Sequence, residues 1–263
     1  MTHPSQHPEA RLHSVVEGQG PLVVLSHALG CDLHMWDEVA ALLRRHYTVA
    51  RYDHRGHGRS PGGDTPFSMD DLAHDAAALI ARLGLGPAHF VGVSMGGMAA
   101  QALAALHPAQ LRSIVVAHSA SHYGAEARAG WQARIETVRT RGMEAIADGA
   151  LQRWLGAAYA AAHPQRVAAL RGTLVRTAPL PYMHACAAVA GIALHERNGR
   201  IRCPSLVIAG RRDEATPPAL SEAIAAQIPG ARLATIDTAH LGCVEQPQAF
   251  AEAVQEFLGR QPA

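Results

Sequence analysis

From His89 to His107 the chain reads HFVGVSMGGMAAQALAALH, an apolar run joined to a helix-forming run with only a glycine-flanked serine between them. A strand that becomes a helix without a loop must bend within a residue or two, and the bend tolerates only small neighbours. Gly92 and Gly96 supply them. Such a junction belongs in a sheet whose strands run parallel and return through helices, because parallel neighbours need a crossover. The rest of the chain keeps the same alternation. RLHSVVEG (11–18), PLVVLS (21–26), YTVARYD (47–53), RSIVVAH (112–118), SLVIAG (205–210) and ARLATID (231–237) read as strands. SMDDLAHDAAALIARLG (68–84) has helical period, with Leu72, Ala76, Leu79, Ile80 and Leu83 on one face and Ser68 with Asp71 forming a capping box. The expected fold is α/β, a mostly parallel, doubly wound sheet.

Between about residues 121 and 198 the β signal vanishes, and amphipathic segments such as GWQARIETVRTRGMEAIADGALQRWLG (130–156) take over. This stretch is expected to be a helical cap inserted into one domain spanning 1–263, with the core in about 10–120 and 199–263. With 263 residues, 48% hydrophobic, 17% charged and a net charge of +1, the chain shows no basic stripe for nucleic acid and no acidic tail. The first residues, MTHPSQHPEARLHS, hold no apolar run for export, and no stretch is long enough to span a bilayer, so the cytoplasm is the expected location. Cys31, Cys186, Cys203 and Cys243 lack CxxC spacing, which points to buried free thiols rather than zinc. Seventeen histidines include no HExxH spacing, and His3 and His7 are expected in an unstructured tail. Neither a metal nor a cofactor is expected. The oligomeric state is not legible.

The chemistry lies in Ser94. At a strand-to-helix bend its hydroxyl projects over the carboxyl edge of the sheet, and the Met95 amide stands at a helix N-terminus where it can stabilise an oxyanion. Serine as a plain helix cap is the competing reading. A serine nucleophile needs a histidine base and a carboxylate to orient it, here in the order Ser, Asp, His. Asp213 follows the strand SLVIAG, and His240 follows ARLATID. Glu214 and Asp237 compete for the acid's role. Thr216 and Pro217 are expected as N-cap and first residue of the next helix. The second oxyanion donor is expected at the Leu29 amide in LSHALGCDLHMWD (25–37), where Ala28 stands at a position often occupied by glycine. The turn DHRGHGRS (53–60) is expected to be structural, with His54 and His57 outside the chemistry.

On LGCDLHMWD, YDHRGHGRS, HFVGVSMGGMAAQ, the cap stretch from WQARI through GMEAIADGALQRW, LVIAGRRDEATPP and AHLGCVEQPQAF, the chain resembles the α/β-hydrolases and, within them, the 3-oxoadipate enol-lactone hydrolases of aromatic catabolism. The resemblance implies a small carboxylated enol-lactone as substrate, an acyl-serine intermediate and no cofactor. The substrate carboxylate then wants a cation. Trp131, Ile135 and Val138 mark an apolar cap face that also carries Arg134. Arg134 either pairs with an acid of the protein or meets the substrate, with Arg128, Arg139 and Arg153 as the other cap cations. Trp131 walls the pocket or anchors the cap, and Trp154 is expected in the cap core. An esterase, thioesterase or carbon–carbon bond hydrolase would use the same triad. A lactone receptor or inactive scaffold of the same fold would bind without steady turnover.

Overall fold

The computed structural model describes residues 12–260, so His3 and His7 lie outside the described residues. The order of elements is β1 (Ser14–Glu17), β2 (Leu22–Ser26), a 3₁₀ turn (Leu33–Trp36), α1 (Asp37–Leu43), β3 (Thr48–Tyr52), α2 (Met69–Leu83), β4 (Ala88–Val93), α3 (Met95–Leu106), a second 3₁₀ turn (Pro108–Gln110) and β5 (Leu111–Ala117). Six helices follow without a strand: α4 (Ala125–Arg141), α5 (Glu144–Trp154), α6 (Ala157–Ala162), α7 (Pro164–Arg176), α8 (Pro179–Ala190) and α9 (His195–Asn198). The core resumes with β6 (Ser205–Gly210), α10 (Pro218–Gln227), β7 (Arg232–Ile236), α11 (Gly242–Glu245) and α12 (Pro247–Leu258).

The strands form one sheet in the order β1-β3-β2-β4-β5-β6-β7, with β1 antiparallel to β3 and every other pair parallel. Helices cover both faces, which is why β2, β4 and β6 are buried along their whole length while the edge strands β1 and β7 keep exposed positions. The strand order reverses at β2, between β3 and β4. In open sheets of this kind a crevice opens at that reversal, beyond the carboxyl ends of the strands. The loops after β2 and β4 therefore meet there.

The capping box at the start of α2 is present, with Ser68 Oγ accepting from Asp71 N and the Asp71 carboxylate accepting from Ser68 N at 2.8 Å. The expectation at α10 is corrected by one residue: Pro217 is the cap and Pro218 the first helical position. Thr216 faces inward instead, because its backbone and hydroxyl are taken by Asp213. The amphipathic stretch 130–156 falls in two helices, α4 and α5, separated at Gly142. Of the apolar face of α4 only Val138 is buried; Trp131 and Ile135 are half-buried and pack against the edge of the core, and Trp131 also lines a cavity.

Candidate active site

Ser94 is the residue between β4 and α3, and its backbone is held at φ 56° and ψ −116°, a conformation rarely taken by a residue with a side chain. The flanking glycines are there for close approach. A Cβ on Gly92 would lie 2.1 Å from Gly96 O, and one on Gly96 would lie 2.1 Å from Ser26 O. With those atoms absent, α3 can start against β2, and the bend projects Ser94 into a cavity of about 800 Å³ roofed by α4 and α5.

Asp213 and His240 arrive from the loops after β6 and β7. His240 Nδ1 lies 2.9 Å from Asp213 Oδ2 and 3.1 Å from Oδ1, and both side chains are buried. His240 and Ser94 line the same cavity. The carboxylate is saturated with donors: Ala215 N and Thr216 N donate to Oδ1 at 2.9 and 2.8 Å, and Thr216 Oγ1 donates to Oδ2 at 2.8 Å. Burial alone would raise the pKa of Asp213. The neighbouring His240 and the hydrogen bonds from His118 and His240 outweigh it and hold the carboxyl far below its ordinary range. The competing acids lie elsewhere: Asp237 meets Arg212, and Glu214 is an exposed residue at the cavity wall.

Met95, as first residue of α3, has its amide outside the helical ladder. Leu29 lines the cavity beside Ala28. Their loop is pinned at each end, with Ala28 N donating to Met35 Sδ at 3.3 Å and Gly30 N to His57 Nε2 at 3.1 Å. The residue that needs glycine here is Gly30, at φ 76°. Ala28 has no positive φ, so its methyl group introduces no backbone strain.

His54 and His57 are buried beside this loop. His57 Nδ1 donates to Arg55 O, which leaves Nε2 as the acceptor for Gly30 and requires a neutral ring. Burial lowers the pKa of His57 to about 3, and it also lowers His54 and His27. A histidine with a depressed folded pKa binds fewer protons folded than unfolded, so stability falls as pH drops below the unfolded value of about 6.5 toward about 3. For His57 this amounts to about 2 kcal/mol at pH 5. The urea midpoint should therefore fall clearly between pH 7.5 and pH 5, and a midpoint independent of pH over that range would contradict neutral buried rings.

Above the site, Arg134 Nε donates to Tyr182 Oη at 2.8 Å, and its guanidinium stands 5.7 Å from the Trp131 and Tyr182 ring centres. Neither partner is an acid. Arg153 lines the same cavity, and its pKa is lowered by burial and by Arg134. Trp131 is a wall of the cavity that packs on Tyr123. Trp154 is buried in the cap but also touches the cavity, and its carbonyl accepts from Leu241 N, next to His240. Two contributors were not singled out from sequence: Tyr123, which lines the cavity, and His118, which touches Asp213. His118 stands in AHSA, one residue past a strand, the same position relative to its strand that marks Ser94.

Residues 21–150 match the alpha/beta hydrolase fold. Over 240 residues the chain is 36% identical to 3-oxoadipate enol-lactonase 2 of Acinetobacter baylyi, covering 91% of this chain and 89% of that one. The chain belongs to the α/β-hydrolase fold family. The enol-lactonase from Burkholderia xenovorans LB400 superposes on this α/β-hydrolase with a TM-score of 0.92 at 35% identity, over 96% of this chain and 99% of that one. A thermophilic esterase from Thermogutta terrifontis gives 0.89 at 28% identity, over 95% and 93%. This α/β-hydrolase is a carboxylic ester hydrolase. No helix among its described residues is long and apolar enough to cross a membrane.

Proposed function

We propose that the enzyme is a serine hydrolase that opens a small carboxylated enol-lactone, converting 3-oxoadipate enol-lactone to 3-oxoadipate in the cytoplasmic catabolism of aromatic compounds, without cofactor or metal. Ser94 attacks the lactone carbonyl while His240 takes its proton through Nε2, the ring nitrogen left free by the bond from Nδ1 to Asp213. Asp213 stays ionised and stabilises the imidazolium. The Leu29 and Met95 amides hold the oxyanion, each such donor contributing about 3 to 4 kcal/mol to the transition state. The ring oxygen leaves as an enol and receives the proton from His240. Water, activated by the same histidine, then hydrolyses the acyl-serine, and the enol ketonises.

The observation that carries the carboxylated substrate is Arg134. It is a half-buried guanidinium in the roof of the nucleophile's cavity whose partners are a phenol and two aromatic faces. A cation so placed retains its charge for an anionic ligand. Replacing Arg134 with Met keeps much of the apolar stem and removes the charge. The expected result is a rise in KM and a loss in kcat/KM of more than about tenfold for the carboxylated lactone, with a neutral ester of similar size barely affected. Equal losses on both substrates, accompanied by a lower Tm, would make Arg134 a structural tie. The second reading, an esterase for neutral substrates with the same triad, is favoured by the cavity's volume, about 800 Å³, which is generous for a six-carbon lactone.

A further inference from the structure

His118 follows β5 and is buried, with its backbone at φ 49°, one of two residues other than glycine with positive φ among the described residues; the other is Ser94. Its ring is wedged between the loops that carry the acid and the base. A Cβ on Gly210, at the end of β6, would lie 2.7 Å from His118 Cε1, and one on Gly242, two residues after His240, would lie 2.5 Å from Nε2. Both positions are glycine, so the ring fits. Its Nδ1 lies 3.2 Å from Asp213 Oδ2, the oxygen that also receives His240 Nδ1 at 2.9 Å, and the two rings stand edge to face at 6.2 Å. Nε2 is buried with no hydrogen-bond partner among the described residues. A proton on that nitrogen would be an unpaired buried donor, so the ring carries its proton on Nδ1 and donates it to Asp213. Burial lowers the pKa of His118 against the opposing pull of Asp213, so the donor is a neutral imidazole.

We propose that His118 is a positioning residue for the triad: as a neutral imidazole it donates from Nδ1 to Asp213, fixing the carboxylate for His240 and sharing its charge. Apart from the base His240 itself, the other donors to Asp213, Ala215 and Thr216, belong to the acid's own loop. His118 is the one that ties that loop to the neighbouring strand. Sharing has a chemical consequence. Each donor that shares the carboxylate's negative charge weakens its hold on a protonated His240 ring. The charged and titratable groups around this cluster are Asp213, His240, Glu245 and Tyr123, and none of them replaces the lost donor.

The proposal rests on the triad reading above. In His118→Ala, kcat/KM at pH 7 should fall about tenfold, and its acid limb should move to higher pH by about half a unit to one unit, because Asp213 then acts on His240 alone. His118→Asn places an amide donor where Nδ1 stands and tolerates positive φ, so it should restore both the rate and the limb. A ring that only fills space would lower Tm and leave the limb unmoved. That outcome, or a His118→Asn profile like that of His118→Ala, would overturn the proposal. Nitrogen-15 NMR of the wild-type enzyme tests it without any variant: the expected state from pH 6 to 8 is neutral with the proton on Nδ1, and a proton on Nε2 would refute it. Ser94→Ala, assayed in parallel, separates the two claims. Full activity there would sink the triad, whereas a dead Ser94→Ala with an unmoved His118→Ala limb would sink only His118.

Discussion

Ser94→Ala is expected to lower kcat by about five to six orders of magnitude on any ester or lactone the enzyme turns over, leaving only what the oxyanion amides and binding supply. The fold should not notice. The Ser94 side chain makes no capping bond to α3, and alanine at φ 56° carries the same backbone strain as serine, so Tm should stay within a degree or two. Activity and Tm measured on one preparation decide the matter. A large loss of both would mean that the serine is structural, and near-normal turnover would remove it from the chemistry.

The second large effect belongs to the acid. Asp213→Asn should cost about four orders of magnitude in kcat, because the amide nitrogen cannot accept the Nδ1 protons that Oδ2 receives, and His240 is driven into the wrong tautomer. His240→Ala should cost at least as much. Since the three groups act as one unit, Asp213→Asn combined with Ser94→Ala should be no worse than Ser94→Ala alone. Losses that multiply in the double variant would argue against a shared step. Asp213→Asn should also lower Tm, because four residues aim donors at a buried carboxylate and an amide satisfies only some of them.

The strand-to-helix bend at Ser94 and the loop positions of Asp213 and His240 were legible from sequence because each lies one short step past an apolar β run. The spacing between run and polar residue is set by the backbone, not by tertiary context. The sheet's order was not legible, since nothing in β2 or β4 says which strands they touch. Ala28 illustrates a different limit. The sequence marks a missing glycine, but only the dihedrals reveal that the turn's positive φ falls on Gly30. Thr216 looked like a helix cap because threonine before proline commonly is one; a buried carboxylate three residues earlier claimed its hydroxyl instead. Arg134 was readable as a cation on an apolar helix face, yet its partner Tyr182 lies 48 residues away on another cap helix, a pairing that no local pattern encodes. His118 was hidden among seventeen histidines, and its meaning comes from Gly210 and Gly242, which clear space for its ring from two distant segments.

The most direct test of the central claim is the ratio of kcat/KM for 3-oxoadipate enol-lactone, followed by loss of its absorbance, to kcat/KM for a neutral p-nitrophenyl ester of similar size. An enzyme built for the lactone should reach about 10⁵ M⁻¹s⁻¹ or more on it, and a guanidinium that meets the substrate carboxylate should set the lactone ahead of the ester by at least about a hundredfold. A ratio near one, or a preference for the neutral ester, would contradict the account and leave an esterase.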